Sequence, residues 1–215
     1  MRIFFVGGAS QARLCQHMLA ALGHDVAAVY DRTPGLHPAW PCEIIRDEAL
    51  IPTVAKGYDG FLVCIGNEHG ERRAYYSQML LSLGLKAVDA IHPTAFIGGS
   101  VKRGRGLQAM PRAVVNEFAE IGDWCIVNTN CSVDHECRIG NGVHIMVGAS
   151  IAGRVSVGDY STIGTNAAVL PDIIIGKNCY VGAGAVVTKN IPDNVVVVGV
   201  PARVVKTTSS EAQDR

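Results

Sequence analysis

Residues 121–156 read IGDWCI VNTNCS VDHECR IGNGVH IMVGAS IAGRVS, six hexapeptides that each open on Val or Ile and carry a small or aliphatic residue in fifth place. Stepping by six in both directions keeps this register over residues 97–192: fourteen of sixteen first positions are Val or Ile, with Arg103 and Ala109 the exceptions. The second position is Gly eight times, with Asn116, Asn128 and Asp134 among the other eight, which predicts a corner of positive φ at that place. A period of six matches neither a helix of about 3.6 residues per turn nor simple strand alternation. It predicts a β-solenoid, in which short strands and corners send the first and fifth residues inward and stacked coils bury one continuous core.

The leading ninety residues follow another pattern. Residues 2–8 form an apolar strand stopped by Gly7-Gly8. Ser10 is placed to cap a helix whose Leu14, Met18, Ala21 and Leu22 share a face, and a second strand over 25–30 ends on Asp31. A strand over 60–65 closes on Gly66-Asn67, a helix over 71–83 offers Ala74, Met79, Leu80 and Leu83 to a core, and a short strand spans 86–90. Strand, glycine turn, helix and strand make a βαβ unit, so residues 1–90 read as a small, mainly parallel, doubly wound α/β domain. GGASQA falls short of a full dinucleotide fingerprint, yet a glycine turn before a helix N-terminus is an anion site in its own right, because free N–H groups point outward there.

Lys plus Arg and Asp plus Glu both number 19, so no overall charge draws the chain to nucleic acid or to an anionic membrane. No apolar run of about 18 residues occurs and Met1 leads into a strand-like stretch rather than a signal peptide, which predicts a soluble, cytoplasmic protein. Cys125, Cys131, Cys137 and Cys179 all fall on the inward fifth position, where they read as small buried hydrophobes; seven cysteines without a CxxC predict reduced thiols and no metal cluster.

The repeats resemble those of the hexapeptide-repeat acyltransferases, in which three hexapeptides make one coil of a left-handed β-helix; sixteen would give about five coils. VGGAS, VYD and CIGN at successive strand ends, joined through IHPTAFIGGSV to the repeats, narrow the resemblance. It points to the sugar O-/N-acetyltransferases with a Rossmann-like N-terminal domain, in the bacillosamine and perosamine type of nucleotide-sugar 4-amino N-acetyltransferase. It implies a nucleotide-sugar-binding domain over 1–90, an acetyltransferase β-helix over 91–207 and a polar tail over 208–215. Members usually carry a Gly-His pair after the first glycines, where this chain has Ser10-Gln11.

Candidate chemistry centres on NTNCSVDHE, residues 128–136. Val133 and Cys137 point inward by the repeat, so His135 lies on the outer surface, and an exposed imidazole beside carboxylates suits a general base. The resemblance carries the family's catalytic His and following acid onto His135 and Glu136; Asp134 is equally adjacent and competes as the group that orients the ring. It further implies that His144 contacts acetyl-CoA, that Gly153 offers a backbone N–H to the thioester oxyanion, that Asn128 faces the sugar, and that Pro201 and Ala202, in GVPAR, lie by the coenzyme's adenine end. On the nucleotide side the candidates are Gly7, Gly8, Ser10, Asp31, Gly66 and Asn67, with the carrier, UDP or GDP, left open. The implied reaction is direct transfer from acetyl-CoA to the 4-amino group of a 4-amino-4,6-dideoxy sugar, without acyl-enzyme or metal, in a homotrimer with sites between subunits. An O-acetyltransferase of a free sugar such as sialic acid is the nearest alternative, and a non-enzymatic solenoid binding module the alternative of another class.

Overall fold

The computed structural model describes residues 1–34 and 40–208. The expected tail lies outside these residues from 209 onward. Thr208 itself donates through its N–H to Asn194 O (2.8 Å) and through its hydroxyl to Asn178 O (3.0 Å).

The N-terminal part is a five-stranded parallel sheet of β1 (Arg2–Val6), β2 (Asp25–Tyr30), β3 (Glu43–Ile45), β4 (Gly60–Val63) and β5 (Lys86–Ala87), in the order β3-β2-β1-β4-β5. Its helices are α1 (Ser10–Ala21), the short α2 (Ile51–Val54) and α3 (Gly70–Ser82). Alternate residues of β1 feed two cores: Ile3 and Phe5 pack with α1, Phe4 and Val6 with α3, which explains why the strand reads as an unbroken apolar run. The helix faces differ from expectation. α1 buries Ala12, Cys15, Met18 and Leu19 while Leu14 and Leu22 are exposed; α3 buries Arg73, Tyr76, Ser77 and Leu80. Small residues on the buried stripe of α1 let it lie close to both the sheet and Met110 of the second part. Ser10 is the first helical residue rather than the cap; Ala9 occupies that place and no side chain caps the helix.

The second part is a parallel β-helix. Each two-residue strand up to Ala168–Val169 pairs with the strand 18 residues on, as in Val115↔Val133↔Ile151↔Val169↔Val187, and three sheets result. Pairing begins at Ala90–Ile91, one hexapeptide before the repeat is visible in the sequence. First and fifth positions are buried throughout except in the first coil, where Ile97 and Val101 are half-buried and Arg103 exposed. Cys125, Cys137 and Cys179 do more than fill space. Their thiols donate to the carbonyls of Gly140, Ala152 and Pro192 at 3.0, 3.1 and 3.0 Å, satisfying corner carbonyls that point into the core.

The corner geometry corrects the sequence reading. Positive φ falls on the fourth position, at Arg112, Phe118, Trp124, Asn130, Glu136, Arg154, Tyr160 and Asp172 among others, not on the second-position glycines. Those glycines are required by stacking: a Cβ on Gly122 would lie 2.7 Å from Gly140 C, and one on Gly158 2.6 Å from Lys177 N. The fourth-position residues accept the left-handed conformation because their N–H groups bond carbonyls of the preceding coil, as in Glu136 N to Glu117 O (3.2 Å) and Arg154 N to His135 O (2.9 Å).

The α/β part sits on one face of the β-helix. The outward row of that face, Gln108, Ile126, His144 and Thr162, is buried. Gln11 donates to Gln108 Oε1 (2.9 Å) and Gln108 to Val63 O (2.9 Å). Arg73, fully buried, donates to Ile65 O (2.8 Å), Trp124 O (3.1 Å) and Gly142 O (2.6 Å), tying the end of β4 to two successive coils. Burial lowers its pKa to about 10, so it stays cationic among carbonyl dipoles. No helix among the described residues is long and apolar enough to cross a membrane.

Candidate active site

His135 occupies the third position of its hexapeptide, at the corner between the strands Ser132–Val133 and Arg138–Ile139. Val133 and Cys137 on either side are fully buried and anchor the corner, while 43 % of the imidazole is exposed. His135 Nδ1 lies 2.9 Å from Glu136 Oε2. Asp134 turns the other way: its Oδ1 accepts from His135 N (2.7 Å) and from Asn116 Nδ2 (3.0 Å), and these bonds hold its carboxyl below the usual range. Of the two carboxylates that the sequence leaves in competition, Glu136 is the one on the ring. A carboxylate on Nδ1 selects the tautomer that leaves Nε2 free to accept a proton.

Nε2 faces Gly153, one coil on. A Cβ on Gly153 would lie 2.5 Å from Nε2 and 2.6 Å from Cε1, so only glycine lets the ring rest there. The Gly153 N–H has no acceptor among the described residues, and neighbouring corners explain why. At third positions Glu117, Thr129 and His135 the N–H is taken by the preceding Asn or Asp side chain; at Asp123 and Asn141 it is taken by Asn141 and Asp159 of the next coil. Gly153 follows Ala152 and is stacked beneath Pro171, neither of which offers a side-chain acceptor. The residue packed against the ring therefore carries an N–H without an acceptor among the described residues, a donor available to an oxyanion.

His144, Asn128 and Asn67 form a second cluster. His144 is an outward residue of its strand but is 2 % exposed beneath the α/β part, its Nδ1 3.2 Å from Asn67 O and its Nε2 3.1 Å from Asn128 Nδ2. With Nδ1 donating to the carbonyl, Nε2 accepts from Asn128, whose Oδ1 accepts from Thr129 N (2.7 Å). Burial first, and the Arg73 guanidinium second, lower the imidazole pKa to about 4, so the ring is neutral. Asn67 has φ +51, and Gly66 precedes it at the end of the loop that Arg73 grips.

The third cluster lies at the N-terminus of α1. Gly7 has φ +88 and packs on the Cys64 carbonyl, where a Cβ would stand 3.1 Å away. Asp31 Oδ2 accepts from Gly8 N (2.7 Å) and its Oδ1 from Thr33 N (2.7 Å), so its carboxylate occupies one of the N–H groups expected to face an anion. Ser10 is exposed on the first turn. Gln11 is held across the junction by Gln108, a contact invisible to local sequence reading, as is the Arg73 clamp; in sequence both look like surface residues of amphipathic helices. Ala202 caps the core of the last coil, donating to Val186 O (2.8 Å), with Pro201 exposed beside it. The His135 and His144 clusters are separate within one chain, since Asn128 and His135 stand on different corners, at opposite ends of the strand Ser132–Val133, whereas the third cluster adjoins the Gly66-Asn67 loop through the packing of Gly7 on Cys64 and Ile65.

Residues 136–169 and 161–189 match the bacterial transferase hexapeptide (six repeats) family. Perosamine N-acetyltransferase from Caulobacter crescentus, whose variant was solved in complex with CoA and GDP-perosamine, is 33 % identical; the match covers 95 % of this chain and 97 % of that one, with a TM-score of 0.87. The acetyltransferase domain of PglB from Neisseria gonorrhoeae, solved with acetyl coenzyme A, is 30 % identical over 95 % and 98 % of the two chains, with a TM-score of 0.85. WeeI from Acinetobacter baumannii is 25 % identical over 95 % and 100 %, with a TM-score of 0.82. The six-residue period, the paired α/β and β-helix parts and this identity over nearly the full length of both chains lead to one conclusion: this chain belongs to the hexapeptide-repeat acetyltransferases of the perosamine N-acetyltransferase type.

Proposed function

We propose that the protein transfers the acetyl group of acetyl-CoA to the 4-amino group of a nucleotide-linked 4-amino-4,6-dideoxy sugar. The observation that carries the mechanism is His135, with Nδ1 on Glu136 and its ring packed against Gly153, whose N–H has no acceptor among the described residues. Nε2 takes a proton from the attacking amine, the Gly153 N–H receives the thioester oxyanion, and the C–S bond breaks to release CoA. The relative solved with CoA and GDP-perosamine supports the substrate pair and puts GDP ahead of UDP as carrier. The strand order β3-β2-β1-β4-β5 supports a Rossmann-like reading of the α/β part, with the nucleotide beyond the carboxyl ends of the strands near Gly7, Gly8, Ser10, Asp31, Gly66 and Asn67, and the match to solved relatives supports a left-handed helix for the coils. The coenzyme runs from His135 along the corner towards Pro201 and Ala202; His144, expected to contact it, is buried with both ring nitrogens engaged and instead holds Asn128 in place.

A homotrimer completes the site in this reading. The sheet between the Asn128 and His135 corners presents Val114, Ser132, Ser150, Ala168 and Val186 outward, a row without charge, whereas the next sheet presents Lys102, Glu120 and Arg138. Packing copies through the uncharged face brings the His135 corner of one to the Asn128 corner of the next. Cysteines present as free thiols support a reducing, cytoplasmic setting.

The test is CoA thiol release with purified protein offered GDP- and UDP-linked 4-amino-4,6-dideoxy sugars beside free sialic acid. Turnover on a nucleotide amine, reduced about 10²-fold or more in His135→Ala, is expected. Turnover on the free sugar alone would replace the proposal with O-acetylation.

A further inference from the structure

We propose that Cys137 is a positioning residue for the oxyanion donor. The inference rests on the reading of Gly153 given above and goes beyond it by naming what aims the N–H. The Cys137 thiol, fully buried in the β-helix core, lies 3.1 Å from Ala152 O. The Ala152–Gly153 peptide is trans, so its N–H points opposite to its C=O. Holding the carbonyl inward therefore directs the Gly153 N–H outward, on the residue against which the His135 ring packs.

The same device recurs where no chemistry is placed. Cys125 donates to Gly140 O (3.0 Å), and the N–H across that peptide bond, on Asn141, is taken by Asp159 Oδ1 (2.7 Å). Ser161 donates to Gly176 O (2.7 Å), and Lys177 N is taken by Asp193 Oδ1 (2.9 Å). In both cases the corner carbonyl accepts from a fifth-position S–H or O–H inside while the N–H points out onto a carboxylate. At Ala152–Gly153 the inner donor is kept, while the outer stacking place holds Pro171. The corner is thus a structural one from which the carboxylate is missing, and the N–H it aims is left for a ligand. Burial raises the Cys137 pKa, which keeps the sulfur protonated and able to donate.

The test compares Cys137→Val, which fills the site without a donor, with Cys137→Ser, which restores one, and with Cys179→Val, which removes an equivalent bond at Pro192 O far along the core. Two readouts are taken: steady-state kinetics, and the isotope-edited infrared band of the ¹³C-labelled thioester carbonyl of bound acetyl-CoA. Cys137→Val is expected to lower kcat about tenfold or more with KM for acetyl-CoA within about twofold, and to lose the downshift of the carbonyl band. Cys137→Ser is expected to recover both, and Cys179→Val to keep both while losing a comparable amount of stability. A wild-type band that does not move on binding overturns the oxyanion reading and this proposal with it. A band that moves equally in wild type and Cys137→Val overturns the positioning role alone.

Discussion

At His135 two carboxylates are sequence neighbours, and only hydrogen-bond geometry separates them. Asp134 is spent on backbone and Asn116, whereas Glu136 holds Nδ1. Glu136→Gln is therefore expected to lower kcat about tenfold or more, because an amide stabilises the imidazolium less, while Asp134→Asn, still able to accept both of its bonds, keeps most of the activity. Parallel kcat measurements on the two variants check this; equal losses would contradict the assignment. Gly153→Ala puts a methyl 2.5 Å from Nε2, forcing the ring off its partner. It is expected to lower kcat about 10²-fold with a normal folded spectrum, read by steady-state kinetics beside circular dichroism. Motif and resemblance pick out His135, Glu136 and Gly153 in the sequence, and the structure brings the three together. That Gly153 has a free N–H is not legible in the sequence, because it depends on what residues 152 and 171 fail to supply.

Within a coil, the second-position glycines serve stacking and the left-handed fourth-position residues serve chain direction, the reverse of what the sequence pattern suggests. Gly158→Ala is expected to cost about 1–3 kcal/mol, since its Cβ meets the backbone of Lys177, which is held in the ladder. Arg112→Gly, at φ +57 with an exposed side chain, is expected to leave stability unchanged or higher. Urea midpoints of the two variants give both answers. The eight glycines are conspicuous in sequence, yet sequence carries no sign of whether a glycine is chosen for its φ or for its missing Cβ.

The junction of the two parts is where the molecule responds to pH. The unfolded chain protonates His144 near the ordinary value of 6.5, the folded chain only near 4, so the unfolded state binds more protons between those values and stability falls as pH drops through that window. The loss is roughly 3 kcal/mol over the full window and is expected to be absent in His144→Gln. Denaturant unfolding of the two proteins at pH 7 and pH 4.5 measures it; parallel losses would place the acid sensitivity elsewhere. For the assembly, sedimentation equilibrium at micromolar concentration is expected to give three chains per particle, and Ser150→Arg on the uncharged face to shift the particle towards single chains with loss of turnover. A wild-type single chain with full turnover would overturn the shared site.

By itself the sequence determined the β-helix, its register and its inward residues, because a six-residue repeat records a local geometry that every coil must satisfy alike. It also located His135, whose neighbours Val133 and Cys137 are set by the same repeat. Only the tertiary structure decided which face the α/β part covers, and with it the burial of His144, the Gln11–Gln108 contact and the clamp of Arg73 on Gly142. These contacts join residues as far as 97 positions apart. No local pattern encodes them, since a polar residue bound for a buried junction and one bound for water occupy the same outward position of the repeat.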